Sequence, residues 1–202
     1  MQDHRLLSVT RQTDHPCIEG SSRAVGRYGS PESWRGHAVL EIPVPQLEPF
    51  VRARTAFYDP GFVSADPRFC HAHITLLAPF DELPERDAVA RAIASMRAFD
   101  FRLADFDVFS GGMIYLRPQP LSPFRQATAS LLAAFPQVVP YGGPDPVPHL
   151  SLDVLSATVS PASTRRQVGD LVPARCQAES VDLCWYESGA CRLVERWQLS
   201  AD

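Results

Sequence analysis

His73-Ile74-Thr75-Leu76 and His149-Leu150-Ser151-Leu152 repeat one pattern: a histidine, an apolar residue, a hydroxyl residue and an apolar residue. Side chains alternate across a β-strand, so a strand reading puts His73 with Thr75 on one face and Ile74 with Leu76 on the other. The same holds for His149 with Ser151. The apolar face packs, and the polar face is free to work. One such motif in a chain with six histidines carries no weight, and a strand face bearing His and Thr also suits a merely polar sheet surface. Two copies with both apolar positions filled form a constellation.

Outward from the motifs, the chain alternates short apolar runs with helical patterns. Ala38 to Val44 is apolar and closed by prolines, which suits a buried strand, and Pro45 to Thr55 reads as a helix. Cys70 to Leu77 is the first motif strand. Pro84 to Ala98 follows as a helix with Glu85 and Asp87 in its first turn. Phe101 to Phe109 and Met113 to Leu116 flank Ser110-Gly111-Gly112, a hairpin signature. Ser122 as N-cap and Pro123 at the first helical position announce a helix over Phe124 to Phe135. His149 to Leu155 is the second motif strand, Ser160-Pro161 opens a helix to Leu171, and Ala178 to Tyr186 with Cys191 to Leu199 closes as a hairpin. The order reads as two similar halves. It predicts a bilobal α+β fold with two pseudo-symmetric, mostly antiparallel sheets, flanking helices and a central groove. Residues 1–35 are polar and irregular and read as a flexible leader, leaving 36–202 as a single bilobal domain.

Composition narrows the function classes. The 202 residues are 45% hydrophobic and 21% charged, enough for one self-supporting core and too apolar for disorder. A net charge of -4 argues against gripping a DNA duplex by neutralising phosphates. All 19 basic residues are arginine, which excludes lysine-based catalysis. Five irregularly spaced cysteines indicate neither a disulfide framework nor a zinc ribbon, and no apolar run suits a membrane span. A cytoplasmic protein is the expectation, and oligomeric state is not legible.

Two imidazoles across a cleft supply a general acid and a general base near neutral pH, because their unperturbed pKa lies near 6.5. Each neighbouring hydroxyl donates to a nonbridging phosphate oxygen without adding charge. Such a set suits attack on a phosphodiester, particularly a strained cyclic one, with no metal or other cofactor.

These motifs, the interval between them, the opening strand and the closing hairpin resemble the two-histidine (2H) phosphoesterase superfamily, in particular its bacterial 2′-5′ RNA ligase and cyclic phosphodiesterase branch. The resemblance runs from His37 to Leu199. Gly112-Met113-Ile114-Tyr115-Leu116 and Tyr141-Gly142-Gly143 are similar to actinobacterial members of that group. The resemblance implies His73 and His149 as the catalytic pair, and Thr75 and Ser151 as phosphate-binding hydroxyls, in a metal-free groove between the lobes. It further implies a 2′,3′-cyclic phosphate, a related cyclic or 2′-5′ linked nucleotide, or an RNA 3′-end as substrate. Many relatives carry a basic residue shortly after a motif, whereas Asp153 follows here and no arginine appears before Arg165. That departure bears against polynucleotide ligation. A 2′-5′ RNA ligase and an RNA-end or nucleotide-binding module with little turnover stand as alternatives.

Other candidates are weaker. Phe80, Tyr115 and Tyr141 are read as base-stacking residues, against the plainer reading as core or rim packing. Arg117 or Arg125 is placed to approach a phosphate or to stay on the surface. Cys70, His71 and His73 cluster in sequence, but strand alternation turns Cys70 away, so three convergent metal ligands are not expected.

Overall fold

The structure, a computed structural model, describes residues 36–201, and the leader expected over residues 1–35 lies outside the described residues. β1 (His37–Pro43) is buried along nearly its whole length, as its mostly apolar run implies, with Glu41 the one carboxylate inside it. A 3-10 turn at Pro45–Leu47 leads into α1 (Glu48–Tyr58), so the helix begins later than Pro45 and runs past Thr55. β2 (His73–Phe80) starts after the Cys70 predicted to open it. The reason is that Ala72 N–H bonds the Glu48 carboxylate, at 2.9 Å, instead of a neighbouring strand.

α2 (Arg86–Ile93) is shorter than the predicted helix over 84–98 because the chain turns into β3 (Phe99–Val108). The glycine hairpin to β4 (Met113–Gln119) forms as expected, with Gly112 at φ 85° and its N–H on the Phe109 carbonyl. α3 (Ser122–Ala134) includes Ser122 as a helical residue. Leu121 takes the N-cap position with no side-chain cap, and Phe124, Ala127, Thr128 and Leu131 face the core. β5 (Leu150–Val154) follows the long loop and is shorter than the predicted His149 to Leu155, so His149 stands immediately before its first residue. Ser160 and Ser163 form a reciprocal capping box on α4 (Pro161–Val168), and a 3-10 turn carries the chain to Leu171.

The predicted strand Ala178 to Tyr186 forms over Ser180–Tyr186, and a further strand that the sequence reading did not include runs just ahead of it. β6 (Ala174–Ala178) pairs with β3, and β7 (Ser180–Tyr186) pairs with β1 and with β8 (Arg192–Gln198). Around Glu179 the chain crosses from one sheet to the other, a change of partners that leaves no mark on the alternation pattern.

Two antiparallel four-stranded sheets result, ordered β2-β1-β7-β8 and β5-β4-β3-β6. Each motif strand lies at the edge of its sheet, paired on one side only. The strand, helix and motif strand β1-α1-β2 correspond to β4-α3-β5, which is the pseudo-symmetry expected from the halves. Each half lends its helix to the other's motif strand. Thr128 of α3 donates to the Leu76 carbonyl of β2 at 2.9 Å, and α1 packs on β5. One continuous core joins the lobes, with Leu40, Ile74 and Leu76 of the first sheet and Leu103, Leu116 and Leu150 of the second in the same cluster.

Asp153 of β5 fastens the second crossing. It is 3% exposed and accepts from Arg54 of α1 at 2.5 Å, from the Tyr58 hydroxyl and from Thr164 of α4 at 3.0 Å. Removing the carboxylate leaves the Thr164 hydroxyl without its partner and the mostly buried Arg54 guanidinium with only the Tyr58 hydroxyl. Asp153→Ala is therefore expected to cost about 3 to 5 kcal/mol in urea-induced unfolding, whereas Asp105→Ala at an exposed pair changes it by less than about 1 kcal/mol.

Candidate active site

A groove of about 200 Å³ opens where β2 and β5 approach each other, and His73, Thr75, His149 and Ser151 all line it. Their strands explain the convergence. In β2 the apolar Ile74 and Leu76 are buried while His73 and Thr75 are part-exposed; in β5 Leu150 and Leu152 are buried while Ser151 is exposed. Two edge strands brought side by side point these polar faces at one volume. Val51 and Thr55 of α1, Phe62, His71 and Tyr186 complete the lining.

The histidines are held alike. His73 Nδ1 lies 2.9 Å from the carbonyl of His71, and His149 Nδ1 lies 2.7 Å from that of Val147. A carbonyl accepts only, so each Nδ1 carries the proton and each Nε2 keeps its lone pair. Burial draws His73 down to about 4, against the stabilising pull of the His71 carbonyl. Burial also holds His149 below the ordinary histidine value. Both rings are neutral at pH 7, with Nε2 able to accept a proton.

Residues outside the motifs set these positions. Ser64 N–H donates to His71 Nε2 at 3.1 Å, so His71 Nδ1–H donates to Glu48 Oε1 at 2.6 Å. Partial burial pushes the Glu48 carboxyl up, but the His71 ring and the Ala72 amide outweigh it and leave the carboxyl below its usual range. His71 thus serves as a strut whose own carbonyl orients His73. Cys70 donates to the Ala72 carbonyl at 3.1 Å, and burial pushes its thiol up to about 12. Among the described residues, no three histidine, cysteine or acidic side chains gather as metal ligands. Around His73, Tyr186 bonds both Nδ1, at 3.1 Å, and Glu41 Oε2, at 2.9 Å. Around His149 the neighbours are rings: Phe109 and Tyr115 stack at 4.1 Å and present their edges to the imidazole.

Of the predicted base-stacking residues, Tyr115 reaches the site only through His149, being 3% exposed beneath Phe109. Phe80 is 5% exposed and packs edge-on to Phe135 in the core. Tyr141 is exposed and edge-on to His37. None of the three lines the groove. Arg117 pairs with Asp107 on the surface, and neither it nor Arg125 reaches the groove. Sequence reasoning passed over Glu41, Thr55, Phe62 and Tyr186. Only Glu41 left a signal, as a lone carboxylate inside an apolar strand.

Two lobes that each deliver a histidine and a hydroxyl to one groove, from an edge strand or from the residue that leads into it, define a protein of the LigT-like two-lobed fold. Solved structures agree: an Escherichia coli LigT in apo form has a TM-score of 0.52 at 19% identity, covering 82% of this chain and 98% of that one. The same enzyme complexed with 3′-AMP gives 0.52 at 18% identity over 81% and 98%, and a structure described as a phosphoesterase gives 0.51 at 16% over 82% and 98%. Curated proteins give no match. The model of the 2′-5′ RNA ligase superfamily matches residues 43–190, and the chain belongs to that family of 2H phosphoesterases. Among the described residues, no helix is long and apolar enough to cross a membrane.

His37 stacks on the groove residue Tyr186, at 5.7 Å, and burial lowers it to about 4 against the opposing charge of Asp81. A histidine with a depressed folded-state value gives stability that is full above about pH 6.5 and is lost as pH falls toward 4. His37→Phe keeps the stacked ring. The unfolding free energy of wild type relative to this variant, from urea titrations at each pH, should fall on acidification across that window by about 3 kcal/mol when protonation is complete.

Proposed function

We propose that the protein is a phosphoesterase that opens 2′,3′-cyclic phosphates, or related cyclic or 2′-5′ linked phosphodiesters at nucleotide or RNA ends, without a metal. The observation that carries the proposal is the shared groove with its two matched imidazole and hydroxyl sets. One neutral Nε2 takes the proton of an incoming water as its oxygen attacks phosphorus. The second histidine, in its protonated form, gives a proton to the leaving ribose oxygen as the P–O bond breaks. Thr75 and Ser151 hydroxyls donate to the nonbridging oxygens, whose charge grows in the transition state.

The groove's size supports a terminal phosphate and its ribose rather than a long strand. No arginine among the described residues lines it, which favours water over a second RNA strand as the incoming group. The LigT structure complexed with 3′-AMP supports a nucleotide as ligand. The soluble, cytoplasmic setting expected from the sequence fits such a substrate.

Incubation with a panel of 2′,3′-cyclic nucleotides and cyclic-phosphate-ended oligoribonucleotides, followed by mass analysis, should show gain of one water. No product with any member would refute the hydrolase reading in favour of a binding module, and joined strands would show ligation. Activity should survive EDTA, because two imidazoles supply both proton transfers; loss restored by zinc or manganese would place the reaction in another class. His73→Ala and His149→Ala should each lower turnover by about 100- to 10,000-fold, with the double variant little worse than the poorer single one. Thr75→Val keeps the branched shape and removes the donor, and should cost about 10- to 100-fold in kcat at unchanged melting temperature.

A further inference from the structure

The two motifs are alike in sequence, but their surroundings are not. Glu41 stands opposite Thr75 in the β1–β2 register and is fully buried beneath the groove. Its Oε2 lies 3.6 Å from His73 Nε2 and accepts from Tyr186 at 2.9 Å, and Tyr186 in turn lies 3.1 Å from His73 Nδ1. Both nitrogens of His73 therefore connect to one carboxyl. Among the described residues, Glu41 Oε1 receives no N–H or O–H donor, with only the weakly donating Cys184 thiol beside the carboxyl, and no carboxylate lies within ion-pair distance of His149. We propose that Glu41 is a positioning residue that shares a single proton with His73, making that pair the proton donor of the groove and His149 the acceptor. The inference rests on the phosphoesterase reading and gives each histidine its role.

A fully buried carboxylate with an oxygen that lacks an N–H or O–H donor is costly, and it is relieved by holding a proton. Burial accordingly pushes Glu41 well above the carboxylate range, against the bonds from Tyr186 and Cys184 and with the charges of Asp182 and Glu48 adding to the rise. The other ionisable groups facing this spot are already engaged. Asp182 is held by Arg196 through two bonds of 2.7 and 2.6 Å, and Glu48 is held by His71. The pair thus enters the reaction with its proton on Glu41 and a neutral His73. As the water oxygen bonds phosphorus, His149 takes that water's proton. As the P–O bond to the leaving oxygen breaks, a proton reaches that oxygen through His73 Nε2 and Glu41 becomes a carboxylate. The 3.6 Å separation shortens to a hydrogen bond at that point, as contacts in unliganded sites commonly do. Exchange with solvent then returns the proton from His149 to Glu41.

Glu41→Gln preserves shape and neutrality while removing the transferable proton. Nitrogen-15 NMR titration of the histidine rings tests the sharing without any substrate. His73 should show two steps in wild type, one of them belonging to Glu41, and a single low step in Glu41→Gln; the same single step in both proteins overturns the proposal. In the kinetics, Glu41→Gln should move the alkaline limb of the rate profile to lower pH and cut kcat at pH 7 by about 100-fold with KM unchanged. A p-nitrophenyl phosphodiester, whose leaving group needs no proton, should lose less than about 5-fold. Tyr186→Phe, which breaks the link to Nδ1 and keeps the ring, should shift the limb in the same direction by less. A uniform loss at every pH and with both leaving groups would make Glu41 structural only. Wild type inactive on every cyclic phosphate but showing two-step titration would refute the phosphoesterase reading and leave the shared proton standing.

Discussion

The structure depends on one constraint: each motif strand is a sheet edge, and a sheet edge buried between lobes must find partners for its open side. β2 finds them in the other half, where Thr128 of α3 bonds the Leu76 carbonyl and the Tyr141 amide bonds that of Ala78. β5 receives α1 through Asp153 and Arg54. Each half thereby completes the other, and the same exchange of helices presses the two edges together. The shared groove is a consequence of that exchange. Neither lobe alone would present more than one of the two H-x-S/T sets.

Burial then shapes the chemistry. Removing His73 and His149 from water lowers their affinity for protons, which suits a base and works against an acid. A site with two neutral imidazoles needs a proton from elsewhere. The carboxyl of Glu41, forced by its own burial to keep one, sits beside the ring that lacks it. The same desolvation that makes His73 a poor proton holder makes Glu41 a good one. The two effects offset each other across a few ångströms.

Much of this was legible beforehand. The repeated H-x-S/T pattern located both motif strands and four of the residues that line the groove, because strand alternation is a local property and its period survives in the sequence. The glycine hairpin at Gly112 and the Ser160 cap were legible for the same reason, since each is decided by a few adjacent residues. The errors fall where distant partners decide. No strand is read just ahead of Ala178, yet Ala174–Ala178 pairs with β3 and the chain changes sheets at Glu179 before β7 begins. Cys70 to Ala72 shows strand texture too, and a carboxylate on α1 claims its backbone instead. Phe80 pairs with Phe135 in the core, a contact that no spacing announces.

By itself, the sequence determined that His73 and Thr75 would share one face of a strand, and that Ser151 would stand opposite the buried Leu150 and Leu152, because side chains alternate along a strand. It determined too that these strands would be anchored by apolar residues on the opposite face. Only the tertiary structure decided that the two faces meet, through helices exchanged between halves. Only the tertiary structure distinguished the histidines, by placing Glu41 and Tyr186 beside one and a pair of aromatic rings beside the other. Proton affinity depends on solvent access and on the charges within a few ångströms, and residues far apart in the chain set both.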